Sequence, residues 1–491
     1  MEHTGLSISD VRLGAPKLYM DCFGDTFDPA WARDGKLYFL GYDGTGWIQS
    51  CRSNLFFNTA WGDDPFALQG ETIHCMSEYG GWAEKGPDGC TWKSSGAIEV
   101  DGALYLVVAR HRYGTDGSDP HLRQIADRAS IIRSTDGGQT WARTAQENYD
   151  QPMFSSGRFG TPYFIHYGQG GECPAVDNAG RYVYAISNNG FWCNGDNYIL
   201  GRVERGKLSR LRSSDWQFYT GGDGMRDSAW SPRPEDGAWI ITNPLKCGET
   251  GATYLPAIGR YILVAWDYPG DPNVDAHISR FTYYQSPTPW GPWTFVKEDE
   301  IQDYGWYCPR VLARWQAARG DEIQAVIVTG GDYYEPERYY RLTVVPLTLK
   351  TGGKFPAPPP QPAPRIIPSG DPQVAYSGAW KAAPRQGALG GVEQVSASPG
   401  AAFTIRFNGS QLKWYASKEN NAGKAAVSVD GGEEQEINLW TYCHVPQYRR
   451  MVFDSGRLTP GPHTFTVRVT GDRQAQSGGV TIYHDHVAVF E

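Results

Sequence analysis

One strand pattern recurs five times in the first 350 residues, and that recurrence restricts the fold more than any other feature. The copies are FDPAWARDGKLYFLGYDG (27–44), SGAIEVDGALYLVVARH (95–111), CPAVDNAGRYVYAISNNG (173–190), YLPAIGRYILVAWD (254–267) and CPRVLARWQAARGDEIQAVIVTGGD (308–332). Each reads as a small residue or proline, an apolar pair, a glycine-bearing turn and an aromatic-aliphatic strand. The first four are each followed by a second hairpin, such as SNLFFNTAWG (53–62) and RFTYYQSPTPWGPWTF (280–295). Four strands per unit, at intervals of roughly 50–80 residues, is the pattern of a β-propeller with long loops. The count predicts five blades over residues 15–350, with seven as the alternative if blades have been merged.

Helical periodicity is nearly absent, and SDPHLRQIADRAS (118–130) is the single segment expected to form a helix. STDGGQTW (134–141) fits the S-x-D-G-G-x-T-W hairpin known as an Asp-box, with a degenerate counterpart in SPTPWGPWTF (286–295). The motif is structural: its Asp and Gly close a turn and its Trp packs between blades. It supports a propeller and says little about chemistry.

The proline-rich run TGGKFPAPPPQPAPRIIPSG (351–370) cannot sit inside a sheet and reads as a semi-rigid linker. It divides a domain of residues 1–350 from one of residues 371–491. In the latter, YSGAW (376–380), FTIRFNGSQLKWYASKENNAGKAAVSVDGG (403–432), GRLTPGPHTFTVRVTG (456–471) and VTIYHDHVAVFE (480–491) alternate as strands with polar turns, the pattern of a β-sandwich. The Y-S-G-x-W and L-x-P-G-x-H-T-x-x-V-x-V-T-G segments resemble galactose-binding-like jelly-roll modules appended to secreted glycan-active enzymes. That resemblance implies either sugar binding or a shielding role. The expected fold class is therefore all-β, a propeller followed by a β-sandwich or jelly roll.

A net charge of −9 and a pI near 5.6 leave no basic footprint for nucleic acid and no attraction to anionic membranes. No apolar run approaches the roughly 20 residues a membrane helix needs. With 18 Trp, 29 Tyr and 59 Gly, the chain has the makings of aromatic stacking surfaces, for which sugar grooves are one common use. The nine cysteines contain no C-x-x-C. Cys75/Cys90 and Cys173/Cys193 each bracket a glycine-rich loop and could pair in an oxidising compartment, with buried thiols as the alternative. MEHTGLSISD lacks a signal pattern, so the expectation of a secreted or periplasmic protein supposes a leader already removed.

A propeller collects ligand sites where its innermost strands meet the central channel. GDTFDPAWARDGKLYFLGYDGTGW (24–47) places four aspartates among aromatics, and its Asp34-Gly35 reads as a hairpin turn. Asp34 goes to the turn, which leaves Asp25 and Asp43 on neighbouring antiparallel segments and Asp28 as their rival. Two nearby carboxylates are what cleavage of a sugar linkage requires, one to protonate the leaving oxygen and one to attack or to activate water. Such a pair also pushes its own pKa values apart. The other strand-end candidates, taken as substrate-binding, are Lys93, Arg158, His166, Glu172, Glu249 and Tyr254, with His111 at a further strand end and Trp47, Trp192 and Trp306 as stacking platforms if exposed.

In order, G-D-x-(x)4-5-W-x-x-D-G-x-L-Y-x-x-x-x-D-G (24–44), W-K-x-S-G (92–96), S-T-D-G-G-x-T-W, F-G-T-P-x-F (159–164), G-A-T-Y (251–254), R-Y-I-L (260–263) and P-W-G-P-W (289–293) resemble a bacterial group of five-bladed propeller proteins that includes endo-acting D-arabinan hydrolases. The resemblance covers residues 20–345 and implies a glycoside hydrolase whose catalytic carboxylates match Asp25 and Asp43. Two departures, FDP at 27–29 and the C-terminal sandwich, bear on the substrate more than on the reaction. Asp28-Pro29 also resembles the general-base position of arabinan-cleaving five-bladed propellers; with Asp28 as base, Glu172 or Glu249 would be the acid.

The leading reading is a monomeric hydrolase of an arabinan- or arabinogalactan-type polysaccharide, needing no cofactor. A structural Ca²⁺ is compatible with the channel carboxylates, though no ligand loop declares one. A propeller lyase on uronate glycans, using Tyr163, His166 and Arg158, is the first alternative. A non-catalytic glycan-binding protein is the second. A sialidase does not fit, since a single clean Asp-box is present and no arginine triad surrounds a Tyr/Glu pair.

Overall fold

The computed structural model describes the chain except residues 1–5, 49, 115, 116, 118, 120, 122, 173–179, 271–276, 303, 334, 354–363, 442–445, 457 and 491. It divides into two compact units, Met1–Ala357 and Pro358–Glu491. The first unit is a five-bladed β-propeller and the second a β-sandwich.

The propeller begins with strand β1 (Ile8–Leu13), which belongs to the last blade rather than the first. Blade one is β2 (Lys17–Trp31), β3 (Leu37–Gly46), β4 (Ser53–Trp61) and β5 (Gln69–His74), paired antiparallel in that order. Blade two is β6 (Thr91–Val100), β7 (Ala103–Arg112) and β8 (Ile125–Ser134), extended outward by bridges from Ala129 to Phe154 and from Arg133 to Ala142. Blade three runs β9 (Tyr163–Phe164), β10 (Tyr182–Asn188), β11 (Asn197–Glu204), β12 (Trp216–Tyr219) and β13 (Trp230–Ser231), with β14 (Ile241–Thr242) also on β11. Blade four is β15 (Ala252–Leu255), β16 (Arg260–Asp267), β17 (Ser279–Ser286) and β18 (Thr294–Ile301). Blade five is β19 (Tyr307–Val311), β21 (Glu322–Gly330) and β22 (Arg341–Thr351), with β20 (Ala317–Arg319) beside β21. Strand β1 then pairs with the free edge of β22, from Ile8 opposite Thr351 to Leu13 opposite Leu347, and closes the ring.

Burial follows this order. Every residue of β6 is buried, whereas β18 on the outer edge is mostly exposed or half-buried. An inner strand is covered on both faces by neighbouring blades, so it tolerates a continuous apolar run; an outer strand meets water and alternates. The Asp-box tryptophan, Trp141, meets Phe57 of blade one edge-on at 4.9 Å, while Asp136 accepts hydrogen bonds from the Gln139 and Thr140 backbone at 3.1 and 3.0 Å.

Several expectations change. Residues 125–134 form β8 instead of helix, because their backbone pairs with β7 from Leu104 opposite Ser134 to Arg112 opposite Ile125, with Ala126, Ala129, Ile131 and Ile132 buried. Among the described residues the α-helical segments are Ala145–Asp150 and Pro336–Tyr339. The third copy of the repeat has its inner strand upstream, at Tyr163–Phe164, while residues 173–179 lie outside the described residues. Cys75 bonds to Cys51 and not to Cys90, since pairing of β4 with β5 brings the two ends of that hairpin together. Cys90 and Cys193 are buried and free, and Cys173 lies outside the described residues.

The linker expectation stops short of residue 370. Residues 354–363 lie outside the described residues, and Arg365–Pro368 is already a strand of the second unit, with Ile367 buried in its core. Pro368 is tolerated because this strand is an edge, paired on one side with His486–Phe490. The sandwich core gathers Phe403, Leu412, Trp414, Phe465 and Val467.

Candidate active site

Strands β2 and β3 pair Asp25 with Tyr42 and Asp28 with Leu40, and the ladder slips on both sides of Asp25. Such bulges re-aim side chains and cluster next to active sites. Thr26 (φ 34°) and Asp43 (φ 49°) adopt left-handed backbone, which for a β-branched residue such as Thr26 costs about 1–3 kcal/mol. The strands also approach closely here: a Cβ on Gly44 would lie 2.4 Å from the Cα of Gly24. Local sequence thus turns Asp25 and Asp43 toward the channel while the flanking residues stay in the ladder.

Lys93, on the inner strand of blade two, meets both. Its Nζ contacts Asp43 Oδ2 directly and lies 3.9 Å from Asp25 Oδ2. Burial opposes the ammonium charge, but Asp43 and Asp25 outweigh it and hold Lys93 protonated. Tyr340 donates a 2.9 Å hydrogen bond to Asp25 Oδ2, and Thr26 Oγ1 donates to Asp25 Oδ1 at 3.0 Å. Burial raises the Asp25 carboxyl to about 6 against the pull of Lys93, with Asp43 adding to the rise. Among the described residues the buried Oδ1 of Asp43 has no hydrogen-bond partner.

These groups floor a cavity of about 210 Å³ whose walls are largely aromatic, including Trp82, Tyr113, Trp192, Trp266, Tyr307 and Tyr340. Trp82 is 36% exposed at the rim, its ring near parallel to that of Tyr340 with centroids 6.2 Å apart. His111 lines the cavity beside Gln124, and burial together with Lys93 lowers its pKa to about 3, so the imidazole is neutral. Among the described lining residues the one cation, Lys93, is committed to aspartates.

A second cluster is sealed within the ring. Arg310, from the inner strand of blade five, donates through Nε to Asp28 Oδ1 at 2.9 Å and through Nη2 to Glu249 Oε2. Ser94 Oγ donates to Asp28 Oδ2 at 2.6 Å, and the Tyr163 ring lies under the guanidinium at 4.2 Å. Asp28 and Glu249 are wholly buried. Burial raises Glu249 to about 8, with Arg310 opposing, so this acid keeps its proton at neutral pH.

Of the residues singled out by sequence, the structure brings Asp25, Asp43, Lys93, His111 and Trp192 together at the cavity, with Asp28 and Glu249 in the buried cluster. The others lie elsewhere. Glu172 is exposed and paired with Arg33, at the far end of β2 from Asp25. Arg158 stacks under Trp239 at 3.9 Å and donates to the Glu235 and Gly237 carbonyls. His166 bridges Thr253 in the ring wall, and burial, with Arg310, lowers its pKa to about 4. Tyr254 packs among Tyr167 and Tyr261. Trp47 packs on Phe39 at 5.8 Å, and Trp306 stacks on Tyr304 at 4.6 Å. Trp47 is half-buried and Trp306 buried. Sequence reasoning missed Trp82, Tyr307 and Tyr340; all three sit at loop or strand starts, where alternation carries no signal.

No family model matches the chain. It is similar to two proteins of Flavonifractor plautii. One is an A type blood alpha-D-galactosamine galactosaminidase, 28% identical over 97 residues, which cover 20% of this chain and 9% of that protein. The other is an A type blood N-acetyl-alpha-D-galactosamine deacetylase, 28% identical over 111 residues, 22% of this chain and 14% of that protein. The chain thus spans a small fraction of the length of the curated relatives it matches. Among solved structures, an exo-beta-1,3-galactanase from Phanerochaete chrysosporium aligns over 97% of this chain and 100% of its own, with 11% identity and a TM-score of 0.36.

Proposed function

We propose that the protein is a glycoside hydrolase in which Asp25 is the general acid and Asp43 the partner carboxylate. The observation that carries this reading is a pair of carboxylates, Asp25 and Asp43, joined by one lysine at an aromatic cavity. Raised to about 6, Asp25 keeps a proton for the glycosidic oxygen in mildly acid solution. Asp43, held beside Lys93, is the partner carboxylate that attacks the anomeric carbon or accepts a proton from water. Attack by Asp43 gives retention and activation of water gives inversion, which proton NMR of the first-formed product tells apart. The aromatic walls suit the apolar faces of sugar rings.

The substrate is a neutral polysaccharide, with arabinan or arabinogalactan favoured by the order of motifs along the propeller. A uronate would need a cation free to meet its carboxylate, and Lys93 is already engaged. The residues expected of a lyase do not assemble, with Arg158 under Trp239 and Tyr163 sealed beneath Arg310. The matched relatives add galactosamine-bearing oligosaccharides as a third substrate class to test.

Release of reducing ends from arabinan, arabinogalactan and galactosamine-terminated oligosaccharides should be measured for the wild type and for Asp25→Asn and Asp43→Asn. Cleavage of one class, reduced by about 10²–10⁴-fold in either variant, is the expected result. A product carrying an unsaturated uronate, or full activity in both variants, overturns the reading.

A further inference from the structure

A second cavity, of about 400 Å³, adjoins the aromatic one, and the proposed chemistry leaves it unused. Three connections build the wall between the two. Between β7 and β8, Tyr113 and Gln124 line the aromatic cavity while His121 and Arg123 line the second. Between β10 and β11, Trp192 lines the first and Asn194 the second. After β16 comes Tyr268, which lines both. Each connection joins the second strand of its blade to the third, and neighbouring strands are antiparallel, so all three emerge on one face of the propeller. Hydrogen bonds hold this wall. Asn194 Nδ2 donates to the Tyr268 carbonyl at 2.7 Å, and the Tyr268 amide donates to Asn194 Oδ1 at 3.0 Å. Arg123 Nη1 donates to the Asn194 carbonyl at 3.2 Å. Leu245, also on the second cavity, is held in left-handed backbone at φ 64°, a strain that gathers where surrounding structure enforces a functional geometry.

The second cavity is polar where the first is aromatic. Arg123 pairs with Asp119 and Asp196, Arg280 with Asp267, and Lys246 with Glu298. Four carboxylates thus stand against three cations, which leaves no positive excess for an anionic ligand. Paired charges offer strong donors and acceptors side by side, and a sugar hydroxyl, which both donates and accepts, is their complement. Resting on the reading of Asp25 and Asp43 as the cleaving pair, we propose that the second cavity is a remote subsite for the same neutral polysaccharide. A chain cleaved at the carboxylates passes over Tyr268 and sets a further sugar residue among Arg123, Lys246 and Arg280. Only a long chain reaches both cavities. Binding energy gained at the second is therefore available to polymer and denied to short oligosaccharides.

The test is the ratio of kcat/KM for a long substrate, arabinan or arabinogalactan, to that for a trisaccharide cut from it. Lys246 is half-buried in the connection before β15, outside the strands. Lys246→Ala removes a charged donor and should lower the ratio roughly threefold to tenfold. Lys246→Trp fills the cavity and should lower it further. A folding defect would lower both rates alike, so a moved ratio reports the subsite. A wild-type ratio in both variants overturns the proposal, and so does a wild type that cleaves neither polymer. A second readout needs no turnover: crystals of Asp25→Asn soaked with hexasaccharides from arabinan and from arabinogalactan. Sugar density crossing Tyr268 into the second cavity is the expected result. Sugar confined to the aromatic cavity, or no sugar in the second, overturns the subsite on its own. If Asp25→Asn abolishes cleavage while the ratio stays put and the second cavity holds no sugar, the subsite fails and the catalytic pair stands. If Asp25→Asn cleaves like the wild type, it is the catalytic pair that fails, and the soaked crystals still judge the subsite.

Discussion

In two clusters on the inner strands of this propeller a pair of carboxylates shares one cation, and the two clusters differ in nearly everything else. Asp25, Lys93 and Asp43 open onto an aromatic cavity; Asp28, Arg310 and Glu249 are sealed from it. In the sealed cluster a guanidinium forks between the two acids, Ser94 fills a further acceptor, and one carboxyl stays protonated. In the open cluster a point-charge ammonium leans to Asp43 and leaves one oxygen of it without a partner among the described residues. Arginine's rigid fork suits a fixed structural joint, whereas a lysine can release one partner as a substrate arrives. The same arrangement of charges thus yields a clasp between blades one, four and five in one case and the proposed reacting pair in the other.

The sharpest way to break that contrast is to remove each cation in turn. Arg310→Met strands Asp28 and Glu249 without a cation and should cost the propeller about 3–5 kcal/mol in urea unfolding. Lys93→Met should cost clearly less, because the cavity admits water and Asp25 takes up a proton readily. Equal losses would mean that both clusters are structural.

A smaller effect separates them by pH. Glu249 has its carboxyl raised from 4.5 to about 8 by burial, so the unfolded chain releases this proton first. Its contribution to stability is complete below the unfolded value and is lost as pH rises through the folded one. Asp25, raised from 3.8 to about 6, acts with the same sign over a lower window. Wild-type Tm should therefore decline between about pH 4 and 8, and Glu249→Gln should flatten the upper part of that decline while Asp25→Asn flattens the lower. The smallest effect is expected at the rim. Trp82→Ala removes a stacking surface of about 0.5–1.5 kcal/mol and should raise KM severalfold, with kcat and Tm unchanged.

The pairing of Asp25 with Asp43 was legible because the Asp34-Gly35 turn fixes which strands meet, and strand register carries the rest. The blades were legible for the same reason: apolar runs with glycine turns leave few alternatives. What was not legible depends on contacts between distant segments. Lys93 sits 50 residues from Asp43, and Arg310 is 282 from Asp28. Nothing local distinguishes Glu249, a buried proton holder, from Glu172, an exposed ion-pair partner. Strand β8 was mistaken for helix because charged residues break its alternation, and only blade packing decides the matter. The disulfide went astray because loop brackets were weighed and strand edges were not.

The closing strand carries a cost in time. Residues 8–13, made first, find their partners in residues 347–351, the last strand of the ring to leave the ribosome. Until then the outer edge of blade five does not exist, and the early strand must wait unpaired while four blades are synthesised. Its apolar residues, Ile8 and Val11, stay available to other chains throughout that interval. Ring completion is thus a long-range event that joins the two ends of the propeller sequence.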